Sequence, residues 1–539
     1  MWNQQIDPLG NIALSALVAA VPILVFLLCL VVFKLKGITA GIIAAVLQIA
    51  IAAWPFGMPA GSIAGAALAG VETAIWPIAY IIVMAVWLYR LTVASGRFDI
   101  IRASIAGISP DQRVQVLLIS FAFGAFLEGA AGFGVPIAIC AALLVQLGFG
   151  PVKAAMLSLV ANVAAGAYGA IGIPVIVGAQ VGGVDLAGLS VQMVIVLQIL
   201  ALATPFLLVL ILDGVRGIRE TFLMTLCVSL AFSISQAAIL IFLGPDLADI
   251  IPGLLTMVVV FAVSRAWTPK RIHREPGAPE PTSTSQSFGD VVVAWSPFYI
   301  LTGAVFVWSL PWFKSLFAVN GPLSGLVARV PIPGITGVVV PYGKDEPAAN
   351  VWEWTPVNAT GTAILVAVII TFFTTPQLRS ADLWRELRET VKMLWQPIVL
   401  IALVLIVANV ANYSGGSTGI GTAISEIGFV FPLLAPVIGW FGVFITGSVV
   451  NNNTLFAGLQ TVTAQGIGVD PTLLVAANTS GGAVAKLVSP QSIAIAAGAV
   501  GLTGREGEIL RAVIGWSLGM LGVVCVWVML LSLVVPAPA

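Results

Sequence analysis

Long runs of apolar residues recur along the chain, from Asn11–Phe33 near the start to Val513–Val534 near the end, with short polar stretches between them. An α-helix needs about 17–25 apolar residues to cross a bilayer, so this pattern predicts a series of membrane-spanning helices without a large soluble domain. The first run ends in Phe33-Lys34-Leu35-Lys36. A cleavable signal peptide carries its basic residues before the apolar stretch, so this run reads as a retained first helix. Because Lys and Arg concentrate in cytoplasmic loops, Lys34 and Lys36 put the N-terminus outside. A second span near Ile38–Trp54 returns outward, and a third near Trp76–Leu91 runs inward to Arg90, Arg97, Arg102 and Arg113. Asp213, Arg216 and Arg219 read as cytoplasmic, as does the polar stretch Arg265–Asp290. That stretch divides the chain into a first half (1–264), a linker (265–290) and a second half (291–539). Within the second half, Pro311–Pro356 is a longer non-cytoplasmic insertion whose Trp312, Trp352 and Trp354 suit the membrane interface.

The two halves repeat one another. Phe123-Gly-Ala-Phe-Leu-Glu-Gly129 reads against Phe441-Gly-Val-Phe-Ile-Thr-Gly447, Ser95-Gly96 against Ser414-Gly415, and Pro77 against Pro397. Downstream, Asn162 and Pro174 have the same spacing as Asn478 and Pro490. The repeat cores run over about 72–180 and 392–500. In the first copy the basic residues follow Pro77, whereas in the second Arg385, Arg388 and Lys392 precede Pro397. The copies therefore run through the membrane in opposite senses. The predicted fold is an all-α integral membrane protein of about 12 or more transmembrane helices, in two inverted-topology repeats with broken or re-entrant helices.

Candidate chemistry sits on the breaks. In Phe126-Leu-Glu-Gly-Ala-Ala-Gly-Phe-Gly-Val-Pro136, Gly129, Gly132, Gly134 and Pro136 interrupt an apolar helix. Irregular backbone survives at membrane depth only beside protein or a water-filled cavity; close packing of intact helices on glycine is the alternative. Gly129, Ala130 and Gly132 are expected to face substrate. The second copy replaces glycines with Asn451, Asn452 and Asn453, which suit a hydrated, hydrogen-bonding site. Glu128 is the acid that lies both in an apolar run and on a break. An unpaired buried carboxylate takes up a proton or finds a partner, so Glu128 is the proton-coupling candidate, against a purely structural carboxylate. The last break, from Asn478 and Thr479 through Lys486 to Ser489 and Gln491, offers a cation for a carboxylate substrate, and half-helix N-termini would hold the same anion. Lys486 snorkelling to the interface is the alternative. Asn162 is the first-half partner of Asn478, with Tyr168 a further hydroxyl donor.

Composition narrows the function. The chain is 59% hydrophobic and only 9% charged, with 23 Lys+Arg against 23 Asp+Glu. Soluble proteins carry roughly 25% charged residues, and a zero net charge leaves no basic surplus for nucleic acid. Cys29, Cys140, Cys227 and Cys525 have no metal or redox spacing, and no metal or other cofactor is expected. No GxxxxGK[ST] phosphate loop occurs. The one histidine, His273, falls in the linker and reads as a solvated residue, so neither an ATP-driven pump nor an enzyme is indicated and no catalytic residues are expected. A channel shares the polar breaks and remains a competing class.

On these residues the chain resembles the lactate permease family, which includes L-lactate and glycolate permeases. The resemblance is carried by Asp7-Pro-Leu-Gly-Asn11, Phe98-Asp-Ile-Ile-Arg102, Ser109-Pro-Asp-Gln-Arg113, the glycine motif around Glu128, Ala359-Thr-Gly-Thr-Ala-Ile364 and Ser489-Pro-Gln-Ser-Ile-Ala-Ile-Ala496. It implies uptake of lactate or glycolate in symport with protons through a prokaryotic cytoplasmic membrane, with Glu128 and Lys486 at matching positions. The expected partners are a small monocarboxylate, the proton and the lipid bilayer, with a homo-oligomer left open. One departure bears on coupling: where the family reads Gly-Ser-Asp, this chain has Gly447-Ser448-Val449, and Asn451–Asn453 replace the usual Ser-Ser-Asn.

Overall fold

In a bilayer the helix satisfies its own backbone hydrogen bonds, and helices make up nearly all the regular structure of this chain. The computed structural model describes residues 1–278, 287–426 and 428–534. The Pro/Ser/Thr-rich middle of the linker, residues 279–286, lies outside the described residues. The N-terminal strand β1 (Trp2–Asn3) leads to α1 (Ile12–Val31), capped by the Asn11 side chain, and to α2 (Gly37–Ala53), which packs on it. α3 (Ala60–Thr73) continues into α4 (Tyr80–Ala94) through a distorted turn at Trp76-Pro77, where the Trp76 backbone leaves helical values. α5 (Arg97–Ala106) is short. α6 (Gln112–Val116) and α7 (Gly124–Ala130) form one buried helix over Gln112–Ala130. α8 (Val135–Gln146), α9 (Pro151–Ala161) and α10 (Gly169–Gly182) follow, each beginning after a break. α11 (Leu186–Phe242) departs from helical backbone at Asp213, Gly214 and Thr221, and α12 (Ile250–Ala266) ends the first half.

The second half opens with α13 (Phe288–Ala294) and α14 (Ser296–Ser309), bent by 47° against each other, then α15 (Pro311–Leu316). The insertion carries short strands β2 (Ala328–Pro331), β3 (Val339–Val340) and β4 (Val351–Trp354). β3 pairs parallel with β1, and β2 antiparallel with β4, Ala328 opposite Trp354. Then come α16 (Thr360–Phe373), α17 (Ser380–Ser414, with Pro397 inside it), α18 (Gly416–Ser425) and α19 (Phe431–Thr446). α20 (Val449–Ile467), α21 (Pro471–Ala485), α22 (Pro490–Ala499) and α23 (Glu506–Val534) complete the chain.

Among the described residues, seven helices are long and apolar enough to cross a membrane, or up to eight if the bent pair is one span. The sequence pattern led to a larger number because it does not show how short each piece becomes once an apolar run is cut. The further apolar helices are only 10–17 residues long, shortened by glycine and proline at the breaks. The outcome is a polytopic, almost wholly helical membrane protein with, among the described residues, two small β ladders.

Charge is gathered as pairs. The Arg113 guanidinium is fully buried, 2.7 Å from Asp111, 2.9 Å from Asp213 and 2.7 Å from Glu220, and it also donates to the Arg271 carbonyl. Arg271 bonds Asp213 and Glu220. Lys153 and the Gly150 N–H hold Glu275; burial opposes ionisation of that carboxyl, yet these donors keep its pKa below the ordinary value. His273, expected to be solvated, is largely covered, with Nδ1 3.3 Å from Asp213 and its backbone N–H donating to Asp111. The linker's basic start is therefore docked rather than free, because Arg113 alone cannot balance three carboxylates. Arg90 pairs with Glu386 at 2.7 Å, and Arg97 donates to Ser296 and the Thr374 carbonyl. These contacts draw the basic segments of both halves together.

Arg113→Ala leaves the buried Asp111 carboxylate without its cation, while Arg271 still reaches Asp213 and Glu220, and is expected to cost about 3 kcal/mol. Thermal unfolding of the detergent-purified protein measures it; an unchanged Tm would show that the cluster does not hold the fold.

Candidate functional site

Glu128 lies near the end of α7, which stops because Gly132, Phe133 and Gly134 all take left-handed backbone, with φ of 61°, 53° and 81°. Pro136 then starts α8. Lys486 is the C-cap of α21; beyond it Ser489 accepts the Ser492 N–H and Pro490 opens α22. The two side chains meet: Lys486 Nζ donates to Glu128 Oε1 at 2.7 Å. Asn162, the C-cap of α9, donates through Nδ2 to Glu128 Oε2 at 2.9 Å. Residue exposure is only 1% for Glu128 and 8% for Lys486. Lys486 is thus neither a free cation nor a snorkelling one, and the two charges assigned to separate halves form one ion pair.

Glycines make room for this pair. A Cβ on Gly169 would lie 2.3 Å from Glu128 Oε1, and one on Gly166 would lie 3.0 Å from Lys486 Cδ. Both were missed in the sequence, where only the small-residue run Ala164–Gly172 hints at them. The buried acid Asp249 was missed too. It sits against Gly129, whose added Cβ would meet Asp249 Cβ at 2.8 Å, and takes a hydrogen bond from Gln236. Glu128 is therefore not the only buried acid on a break. Asp249 follows the turn Gly244-Pro245-Asp246, a signal in the sequence that could have marked it.

The pair forms part of the wall of a 570 Å³ cavity. Its opening is marked by the exposed Lys36, Thr39 and Trp395. Glu128 is the single acidic side chain among the described residues lining it, and Val449 lines it where an Asp would bring a second. The N-terminal turns of α8, α20 and α22 reach the cavity through Gly134, Ser448–Asn451 and Gln491–Ser492. Helix N-termini carry partial positive charge and unpaired N–H groups, so the cavity favours an anion. Ser448 caps α20 by accepting the Asn451 N–H, while Asn451 Oδ1 is buried without a protein partner.

The remaining expected residues stand elsewhere. Asn453 donates to the Pro174 carbonyl at 2.8 Å and to Thr479 at 2.9 Å, and accepts from Asn478 at 2.9 Å. Asn452 donates to the Asn478 carbonyl. These four side chains lie fully inside, joining α20, α21 and α10 rather than facing the cavity. Buried amides bond whatever lies nearest, and here that is neighbouring helices. Gly132 packs on Ala170, Ala130 is buried in the core, and the Tyr168 hydroxyl is buried with no partner, away from the cavity wall. Ser489 is a helix cap, and Gln491 faces the cavity beside Gly447.

An anion-favouring cavity walled by broken helices, in a chain of long apolar helices, belongs to a multi-pass membrane transporter rather than to an enzyme. The chain belongs to the L-lactate permease family, whose model matches residues 15–535. It is 47% identical to the L-lactate permease of Halalkalibacterium halodurans, over 99% of this chain and 100% of that one. It is 43% identical to the glycolate permease GlcA of Escherichia coli, over 96% of this chain and 95% of that one. With the L-lactate permease of Bacillus subtilis the identity is 39%, over 97% of each.

Gly169→Ala is expected to push Glu128 off Lys486 and to reduce solute uptake by vesicles at least tenfold, about 1.4 kcal/mol or more, whereas Gly515→Ala, which meets nothing within 4 Å, should leave uptake unchanged. Equal uptake by the two variants would show that the ion pair is not needed.

Proposed function

We propose that this protein is a secondary carrier that takes up L-lactate, and also D-lactate or glycolate, together with protons across the bacterial cytoplasmic membrane. The observation that carries this reading is the Glu128–Lys486 pair on the cavity wall. Lys486 is the cation a substrate carboxylate needs, and Glu128 already occupies it. An anion that displaced an ionised Glu128 would leave net negative charge in a buried site, at a cost of several kcal/mol. A proton on Glu128 removes that charge and releases Lys486. One proton and one monoanion then enter together, and the site is neutral before and after. The same pairing serves the membrane crossing, where an unaccompanied monoanion pays about 2.3 kcal/mol per 100 mV of inside-negative potential.

In this scheme Lys486 takes the carboxylate, with Asn451 and Gln491 on the cavity wall for the hydroxyl. Asn162 steers the Glu128 carboxyl. Gly129, Ala130, Gly132, Tyr168, Asn452, Asn453, Asn478, Thr479 and Ser489 shape the walls behind them. The substrate class is supported by the lactate and glycolate permeases to which the chain is similar. With Val449 in place of an acid, Glu128 is the proton site on the cavity.

We further infer two inverted repeats within halves 1–264 and 291–539, joined by the linker 265–290, with short helices joining into broken spans to give about twelve crossings. The order of elements supports this. α8, α9 and α10 with their breaks correspond to α20, α21 and α22, and packing is reciprocal, α8 on α22 and α10 on α20. The basic segments drawn together by Arg90, Arg97 and Arg113 lie on the cytoplasmic side, with the insertion outside. The cavity, opening at Lys36, then faces inward.

Proteoliposomes given an inward pH gradient, with and without sodium, test the reading. Lactate should accumulate with the pH gradient and without sodium; accumulation that needs sodium would replace the proton, and none of either acid would sink the substrate class. Glu128→Gln should lose gradient-driven accumulation yet keep counterflow exchange. Raising the pH equally on both faces should weaken wild-type lactate binding, and Glu128→Gln should flatten that dependence. Lys486→Ala should raise the half-saturation concentration at every pH.

A further inference from the structure

A second cavity, of 340 Å³, lies at the other end of α17 and α20. Its wall includes Gln180 of α10, Asn409 and Asn412 of α17, Thr461 of α20, Thr418 and Asn350. Among the described residues no acid or base lines it. Neutral amides and hydroxyls can hydrate a small carboxylate without trapping it, which is what a passage requires.

The two cavities share three helices and approach each other closely. On α17 Ile401 lines the first and Leu405 the second, one turn apart, about 6 Å along the axis. On α10 they are bounded by Pro174 and Gln180, about 9 Å apart, and on α20 by Asn451 and Gly458, about 10 Å apart. The layer between is held by the buried asparagine network. Asn453 ties α20 to the Pro174 carbonyl of α10, and Thr461 ties it to the Gly182 carbonyl at 2.8 Å. Glycine permits this closeness: a Cβ on Gly178 would stand 2.9 Å from Asn453 Nδ2.

The far side is roofed. Gln4 donates to the carbonyls of Asn412 and Tyr413 at 3.0 and 3.1 Å and accepts from the Tyr342 N–H, so the N-terminal strand and the insertion close over the rim together. The insertion is anchored through Ile332, Ile335 and Val339, packed with Ile63, Ala66 and Val410 in one apolar cluster.

We propose that this second cavity is the outer half of the translocation path, roofed by Gln4 and the insertion, and that the Asn453 network is the thin gate between it and the inner cavity. Substrate entering from outside passes the Asn409–Thr461 wall, and the path opens when α10 parts from α20 at Asn453 and Thr461. This rests on the carrier reading above and gives the insertion a role in it.

The test places single cysteines at Asn409 or Thr418, both half-buried, in a chain whose four native cysteines are serine, and applies a membrane-impermeant thiol reagent to either face of oriented vesicles. Both sites should label from outside only, with a rate that saturating lactate changes by about threefold or more. A cysteine at Gln396, on the inner cavity, should label from inside only, and adding Asn453→Ala should make it reachable from outside. Labelling of Asn409→Cys and Thr418→Cys from the cytoplasmic face, or labelling indifferent to lactate in vesicles that accumulate lactate, overturns the outer path. Sidedness is read without substrate, so vesicles that accumulate neither lactate nor glycolate sink the substrate class alone.

Discussion

A charge in the dry interior of a membrane protein has to be matched within reach, and the arrangement around Glu128 follows from that constraint. Lys486 supplies the opposite charge from the other half of the chain, and Asn162 occupies the second carboxylate oxygen. Such a pair forms only if backbone stands back from it, so Gly166 and Gly169 are as much part of the site as the charged groups. The pair also fixes the halves against each other. A change in the protonation of one side chain is thereby felt by both.

The breaks that bring these residues together are a second consequence of the same medium. Backbone without helical partners must be covered by protein or face water. Here it does both: the left-handed turn at Gly132–Gly134 packs on Ala170, while the first turns of α8, α20 and α22 open onto the cavity. The partial charges left at those helix starts have the sign a carboxylate requires. The same feature that shortens the helices thus leaves positive partial charge on the cavity wall.

Polar side chains divide between two duties. Asn452, Asn453, Asn478 and Thr479 spend their hydrogen bonds on neighbouring helices, whereas Asn451 and Gln491 turn to the cavity. At the other level of the molecule, the buried Arg113 collects carboxylates and the docked linker, and the insertion with β1 covers the opposite rim. One end is held by charge and the other by apolar packing under a hydrogen-bonded roof.

Class, helical character and the glycine-proline break before α8 were legible in the sequence, because apolar run length, glycine and proline act locally on the backbone; Asn451–Asn453 and Asn478–Thr479, read as break residues, instead lie within α20 and α21. Glu128 and Lys486 were legible as charges at odds with their apolar surroundings, and Asn162 as the repeat counterpart of Asn478. Their union was not, since Glu128 and Lys486 lie in different halves and only the packing of α7 against the end of α21 and the α9–α10 turn decides which cation meets which acid. Nor could sequence separate Asn451 from Asn453: on one helix, neighbouring amides point to different sides, and only the tertiary fold says which side is water. Gly169 stayed hidden for the same reason. An absent side chain gains its meaning from what is packed against it.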